Sequence, residues 1–487
     1  MLFAVNLSTP AAQTITVDYA TTVGGANPAT SGTCGNAGVD YQPTGGTLTF
    51  NIGDQIKIIP VTICADATNE TDETLLLNLT NYSNLARAQA TGTILASSQP
   101  GTILISELRT SGPAGLGDDF VELYNNTDSP LTVAASDASA GYGLYKMGVD
   151  CNAAPILIAT IPNGTVIPAR GHYLLVGSQY SLADYGGTGA AAGDQILTSD
   201  IESDRNVAVF STANPLAISS ANRLDAVSFG ANTGGFCDLL REGSTAPPVG
   251  DSTTQYSFSR DVCGKAGSPG GGVCPSQTPM DTNNNATDFI FADTLGTLIS
   301  GVTQKLGAPG PENLTSPVLR NSTILVNLLD QSVSAVSPPN RTRDLTPNPA
   351  NNSTNGTLSV RRRFTNNTGV SVTRLRFRII DISAFPSPSG AVADVRAITS
   401  AGVVVSGIND AATCAPAAAP CSITVNGTTV ETSPAQPNGG GFNTSLAAGT
   451  ITLGAPLANG ASINVQFLLD VQQPGTFKFF VNVEALP

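Results

Sequence analysis

The 487-residue sequence has no tryptophan, a single histidine and three methionines, and only 12% of its residues are charged. These scarcities exclude several classes of function. A Ser-His-Asp apparatus would need a GxSxG elbow and a buried acid beside His172, and neither accompanies it in Ala169-Arg170-Gly171-His172-Tyr173. Adjacent acids occur at Asp118, Asp119 and Glu122 and at Asp72 and Glu73, but acids in β loops are usually solvated. Glycoside chemistry would also want an aromatic sugar platform, which a Trp-free chain does not advertise. The chain is therefore read as non-enzymatic. No apolar run approaches the roughly 18 residues that span a bilayer, and no Lys/Arg cluster leads an apolar core at the start. Membrane insertion is not expected, and any export signal would lie before Met1. Nor does any stretch beyond about ten residues keep the 3.6-residue period of a helix.

What is abundant is turn chemistry. Fifty glycines and 32 prolines, with Thr and Asn throughout, describe an all-β chain, and its length suggests about three domains. In Met1 to Thr22, Phe3, Val5 and Leu7 alternate with polar or small residues, Thr9-Pro10-Ala11 breaks the run, and Ile15, Val17 and Tyr19 resume period 2. The chain thus opens directly in strands. Further strands are expected at 47–50, 55–64 and 74–79, and after a Pro/Gly-rich linker at 306–313 nine more run from 323 to 483.

The eight cysteines pair locally by spacing: Cys34 with Cys64, Cys151 with Cys237, Cys263 with Cys274, and Cys414 with Cys421. None lies in a CxxC, and one histidine cannot complete the usual Cys/His zinc sets, so disulfides in an oxidising, extracellular compartment are expected. Closing the loop from Cys34 to Cys64 is worth about 3–4 kcal/mol on the chain-entropy model. The net charge of −14 divides into −16 over residues 1–305 and +2 over 306–487. Affinity for nucleic acid is not expected of so acidic a chain, whereas an end-to-end attraction between copies is allowed.

Residues 3–22, 39–54, 61–81 and 90–94 (FAVNLSTPAAQTITVDYATT, VDYQPTGGTLTFNIGD, VTICADATNETDETLLLNLTN, ATGTI) resemble the Calx-beta module. The resemblance implies a seven-stranded sandwich over 1–98 whose first strand is missing, and a remnant calcium site at Asp40, Asp66 and Glu70. Residues 103–126 (ILISELRTSGPAGLGDDFVELYNN) and 166–176 (VIPARGHYLLV) resemble the lamin-tail domain. They imply an immunoglobulin-like sandwich over 101–305 whose insertions hold two of the disulfides. Residues 306–487 read as another immunoglobulin-like β-sandwich. The fold expected is therefore three tandem β-sandwiches, in an order that resembles large acidobacterial extracellular proteins.

Asp281, Asn283 and Asn285 keep the 1, 3, 5 oxygen spacing of an EF-hand loop, with Asp288 nearby. Ala286 stands where glycine is needed and no glutamate takes the twelfth place, so an Asx-turn network is the competing reading. No cofactor is required; calcium is allowed for. Arg361, Arg362, Arg363, Arg374, Arg376 and Arg378 are expected on neighbouring strands, forming a charged outer sheet face, with an acidic neighbour allowed for against it, rather than a polyanion site. Asn-x-Ser/Thr sequons include Asn69, Asn78, Asn163, Asn313, Asn321 and Asn443, permitting glycosylation. The expected function is a non-catalytic, secreted or surface structural protein of bacteria, the subunit of a fibre or filament that assembles head to tail with copies of itself or with other surface proteins, strand donation into the first domain being one route. The alternative is an adhesin or ligand-binding stalk with calcium-stiffened loops.

Overall fold

The computed structural model describes residues 1–487 apart from 10, 26, 35, 37, 65–72, 95–101, 183–191, 204, 231, 247–253, 262–278, 297–304, 321–322, 349–351, 385–391, 432–433, 450–452 and 487. The fold is all-β, with helix limited among the described residues to short turns such as Asn285–Asp288 and Ala411–Cys414. Two compact units make up the chain, Met1–Gly101 and Thr102–Pro487.

In the first unit, β1 (Leu2–Asn6), β2 (Ile15–Val23), β3 (Gly45–Phe50), β4 (Ile56–Pro60), β5 (Glu73–Thr80) and β6 (Gln89–Ile94) form a two-stranded sheet, β1-β4, and a four-stranded one ordered β3-β2-β5-β6. Period 2 decides what each strand buries. Phe3 and Ile59, paired across β1 and β4, turn inward with Val61, Leu75 and Leu77, while Ile56 and Ile58 on the alternate face of β4 stay exposed. The opening run is thus a paired strand, and among the described residues β1 has a neighbour on one edge only. A bridge joins Cys34 to Cys64.

The second unit holds two sandwiches. In the first, a seven-stranded sheet built around β7 (Ile103–Arg109) and β8 (Phe120–Asn125) faces a four-stranded one across Ile105, Leu108, Val121, Leu123, Leu144 and Val209. In the second, two five-stranded sheets close over Phe364, Leu375, Phe377, Ile379, Phe467 and Val483. Cys151–Cys237 fixes a short 3-10 turn, Gly235–Leu240, against the outer side of the four-stranded sheet, and Cys414–Cys421 closes a small hairpin region. Cys263 and Cys274 lie outside the described residues. Residues 306–313, expected as a linker, are buried throughout. Loops normally run over the surface because their backbone polar groups need partners. This one finds them inside the protein, and two of the partners are carboxylates.

Candidate functional site: a charged layer between two sandwiches

A bulge in β7 creates this layer. Strict alternation would put Ile103, Ile105 and Glu107 on one face, but the register shifts between Ile105 and Glu107, so Leu108 takes the next inward place and Glu107 turns the other way. Opposite it on β8, Glu122 also points away from the core, as does His172 on the strand His172–Val176, whose ring packs at 5.0 Å from that of Tyr124. All three side chains are buried. The buried segment 306–313 meets them: the Gly310 N–H donates to Glu107 Oε1 at 2.9 Å, and the Glu312 N–H to Glu122 Oε2 at 2.5 Å. The Ser106 hydroxyl donates to Glu122 Oε1.

The second sandwich answers with cations. Along the strand Arg374–Ile382, Leu375, Phe377 and Ile379 enter the core while Arg374, Arg376 and Arg378 occupy the opposite face. That face is also covered, and Arg376 has no exposed surface at all. Arg376 pairs with Glu312 and donates from Nε to Glu484 Oε2 at 2.7 Å, Glu484 being its direct cross-strand partner. Arg378 lies 3.2 Å from Glu312 Oε2 and 3.4 Å from Glu484 Oε1, and donates to Asn443 Oδ1 at 2.8 Å. Asn443 in turn donates to Ser259 Oγ and to the Ala308 carbonyl, each at 3.2 Å, so it ties the two sandwiches through neutral bonds as well. Arg374 pairs with Glu431 at 2.8 Å. A cavity of about 60 Å³ opens beside Glu107, Glu122, His172, Glu312 and Arg378.

Burial governs the protonation of this layer. It pushes Glu122 well above the usual carboxylate range, and the neighbouring Glu312 and Glu107 charges push the same way; burial also raises Glu107. For Arg376 burial works against the charge, but Glu312 and Glu484 outweigh it and hold the guanidinium protonated. His172 sits between acids, its Nε2 3.4 Å from Glu312 Oε2 and 3.8 Å from Glu122 Oε1.

A second buried network centres on Arg260. It lies 2.5 Å from Asp225, 3.2 Å from Asp288, 3.5 Å from Asp281 and 3.9 Å from Glu242, with its guanidinium 4.6 Å from the Phe289 ring centre. This is where the expected calcium loop lands. The Asn285 amide donates to the Ala226 carbonyl and accepts from the Ser228 N–H, while Asp288 accepts from Thr282 and Asn284. Asn283 takes the left-handed backbone that Asn tolerates, and its own N–H donates to Asp281 Oδ1. One oxygen of Asp281 is also gathered with Asp225 and Glu242. Burial raises Asp281 to about 6. In the first unit Asp40 accepts from the Thr30 N–H at 2.6 Å, and Asp66 and Glu70 lie outside the described residues. Among the described residues of that unit no three acids or histidines converge as metal ligands would.

Three expectations need correction. Arg374, Arg376 and Arg378 do not form an outer face, and they lie in a different sheet from Arg361, Arg362 and Arg363, because the connection between the two strands crosses from one sheet to the other. Asp118, Asp119 and Glu122 are buried and not solvated, with Asp118 paired to a buried Arg109. Asn313 and Asn443, whose sequons permitted glycosylation, are buried and hydrogen-bonded. Glu107, Glu312 and Glu484 were missed; only Glu484 had a visible signal, the alternation of polar and apolar residues in Val481-Asn482-Val483-Glu484-Ala485.

The comparisons bear on the first unit. The Calx-beta domain model matches residues 3–107. The first unit is a Calx-beta domain. That match ends within β7, the opening strand of the second unit. No curated protein matches the chain. Solved structures similar to it include the apo-form Calx CBD1 domain, 25% identical over 17% of this chain and 70% of that one, with a TM-score of 0.14. CBD12 from CALX1.2 is 13% identical over 43% and 72%, TM-score 0.23, and the calcium binding domain CBD12 of CALX1.1 is 14% identical over 43% and 71%, TM-score 0.22. Among the described residues no helix is long and apolar enough to cross a membrane.

Proposed function

We propose that the chain is a non-catalytic structural segment of an extracellular, surface-associated protein, a stalk in which the second unit acts as one rigid block. The observation that supports this most is the charged layer. Arg376 and Arg378 reach Glu312 and Glu484, while Glu107 and Glu122 hold the backbone of the segment that enters the second sandwich. Separating the sandwiches would break the pairings of Arg376 and Arg378 with Glu312 and the Asn443 bonds to Ser259 and Ala308 together, so the two should move and fail together. The disulfides fit an oxidising compartment. A lamin-tail domain over 101–305 and an immunoglobulin-like domain over 306–487 belong to the same reading. Its finer form is a fibre subunit whose partners are copies of itself or other surface proteins, with a donated strand pairing along β1 beside exposed Ile56 and Ile58.

Stretching single molecules of the full chain between the termini tests the block: the two sandwiches of the second unit should rupture in one event. Two separate events at different forces would reject it. A calcium-dependent adhesin is the second reading, favoured by the Calx-beta match and by a similar structure described as a calcium binding domain. Specific, calcium-dependent binding on a glycan array would select it over the stalk, and no binding would leave the stalk standing.

A further inference from the structure

We propose that Glu122, His172 and Glu312 hold a divalent transition-metal ion that pins the first sandwich of the second unit to the segment entering the second. The inference concerns the same layer but does not depend on the stalk bearing load. Its first support is donor spacing. One oxygen of each carboxylate and the imidazole Nε2 lie within 4.8 Å of one another, with Nε2 at 3.4 Å and 3.8 Å from the two oxygens. Donors on a tetrahedral ion with bonds of about 2.0–2.2 Å stand roughly 3.3–3.6 Å apart, so an ion would need only a small inward movement. Three protein donors leave a fourth position, and the adjoining cavity of about 60 Å³ has room for the water that would fill it.

The donors are also held from behind, as metal ligands usually are. The Glu312 N–H holds the other oxygen of Glu122 and Arg376 the other oxygen of Glu312, Ser106 and Arg378 also reach the two donor oxygens, Arg378 at 3.2 Å, and Tyr124 packs on the imidazole. Charge gives the second, independent support. With every glutamate ionised, Glu107, Glu122, Glu312 and Glu484 would bring four negative charges to the layer, against two positive ones from Arg376 and Arg378. Two protons or one divalent cation would balance it. Mixed imidazole and carboxylate donors suit zinc and its neighbours, whereas calcium takes oxygen alone. The Asp225, Glu242 and Asp281 group is a poorer candidate, since it offers no imidazole and Arg260 reaches all three of its acids at 2.5–3.9 Å, whereas Arg376 and Arg378 reach only Glu312 among the donors proposed here.

The test uses the full chain without an affinity tag, stripped with chelator, exposed to zinc chloride and desalted. Elemental mass spectrometry should then find one zinc per chain, and X-ray absorption at the zinc edge should show one imidazole, which can only be His172 because the chain has no other histidine. His172→Gln should lower zinc retention about tenfold or more. Because that variant could fail to fold, its circular dichroism is recorded, and the wild-type spectrum decides alone if it does. No retained zinc, zinc without an imidazole signature, or equal retention by a folded His172→Gln would each overturn the proposal.

Discussion

Arg376 and Phe377 are neighbours on one strand, and neither exposes any surface, yet opposite physics holds them. Phe377 sits among aromatic rings, 4.8 Å from the centres of both Phe364 and Phe467, where burial is favourable in any register that fits. Arg376 is buried at a cost that only Glu312 and Glu484, in the right places, can offset. The apolar interior therefore makes each sandwich stable, and the charged layer makes one arrangement of the two sandwiches much better than its alternatives. Stability and specificity are assigned to the two faces of a single strand.

The comparison can be broken from either side. Phe377→Ala should cost about 3–5 kcal/mol in denaturant unfolding, the usual loss for a large aromatic removed from a core. Arg374→Met should cost about 3 kcal/mol by stranding buried Glu431, but the double change Arg374→Met with Glu431→Leu should return to within about 1 kcal/mol of the parent, because an apolar pair of similar volume replaces the ion pair. A core position would show no such recovery, so failure of the double variant to recover would remove the distinction. Asp119 sharpens it further. Burial, with the nearby Asp200 charge adding to it, raises this acid to about 7, so the folded state binds its proton more tightly than the unfolded chain does. Its contribution to stability is complete below the ordinary carboxylate range and is lost as pH rises towards about 7. The melting temperature should accordingly fall across that window, less steeply in Asp119→Asn; equal slopes would place the titration elsewhere. The smallest effect belongs to the exposed pair of Arg170 with Asp128, where Asp128→Asn should change stability by less than about 1 kcal/mol.

The sandwiches were legible in the sequence because period 2 is local: Phe3, Val5, Ile15, Val17, Leu375 and Phe377 announce strands without reference to anything distant. The charged layer was half legible. Alternation placed the arginines of 374–378 on one face, but sequence pattern cannot say whether that face meets water or another sheet. The partners explain why, since Glu312 and Glu484 lie 64 and 108 residues from Arg376. The bulge that turns Glu107 outward also left no mark in the spacing of Ile103, Ile105 and Glu107. In the calcium loop, Asn285 had the right chemistry and spacing, but its amide was spent on Ala226 and Ser228, far along the chain.

Native-state hydrogen exchange of the full chain under rising denaturant tests the central claim most directly. If the charged layer joins the sandwiches into one cooperative block, the slowest amides of Ile103–Arg109 and Arg374–Ile382 should converge on a single opening free energy with the same denaturant dependence. Two distinct opening isotherms, one for each strand, would show that the sandwiches unfold independently and would contradict it.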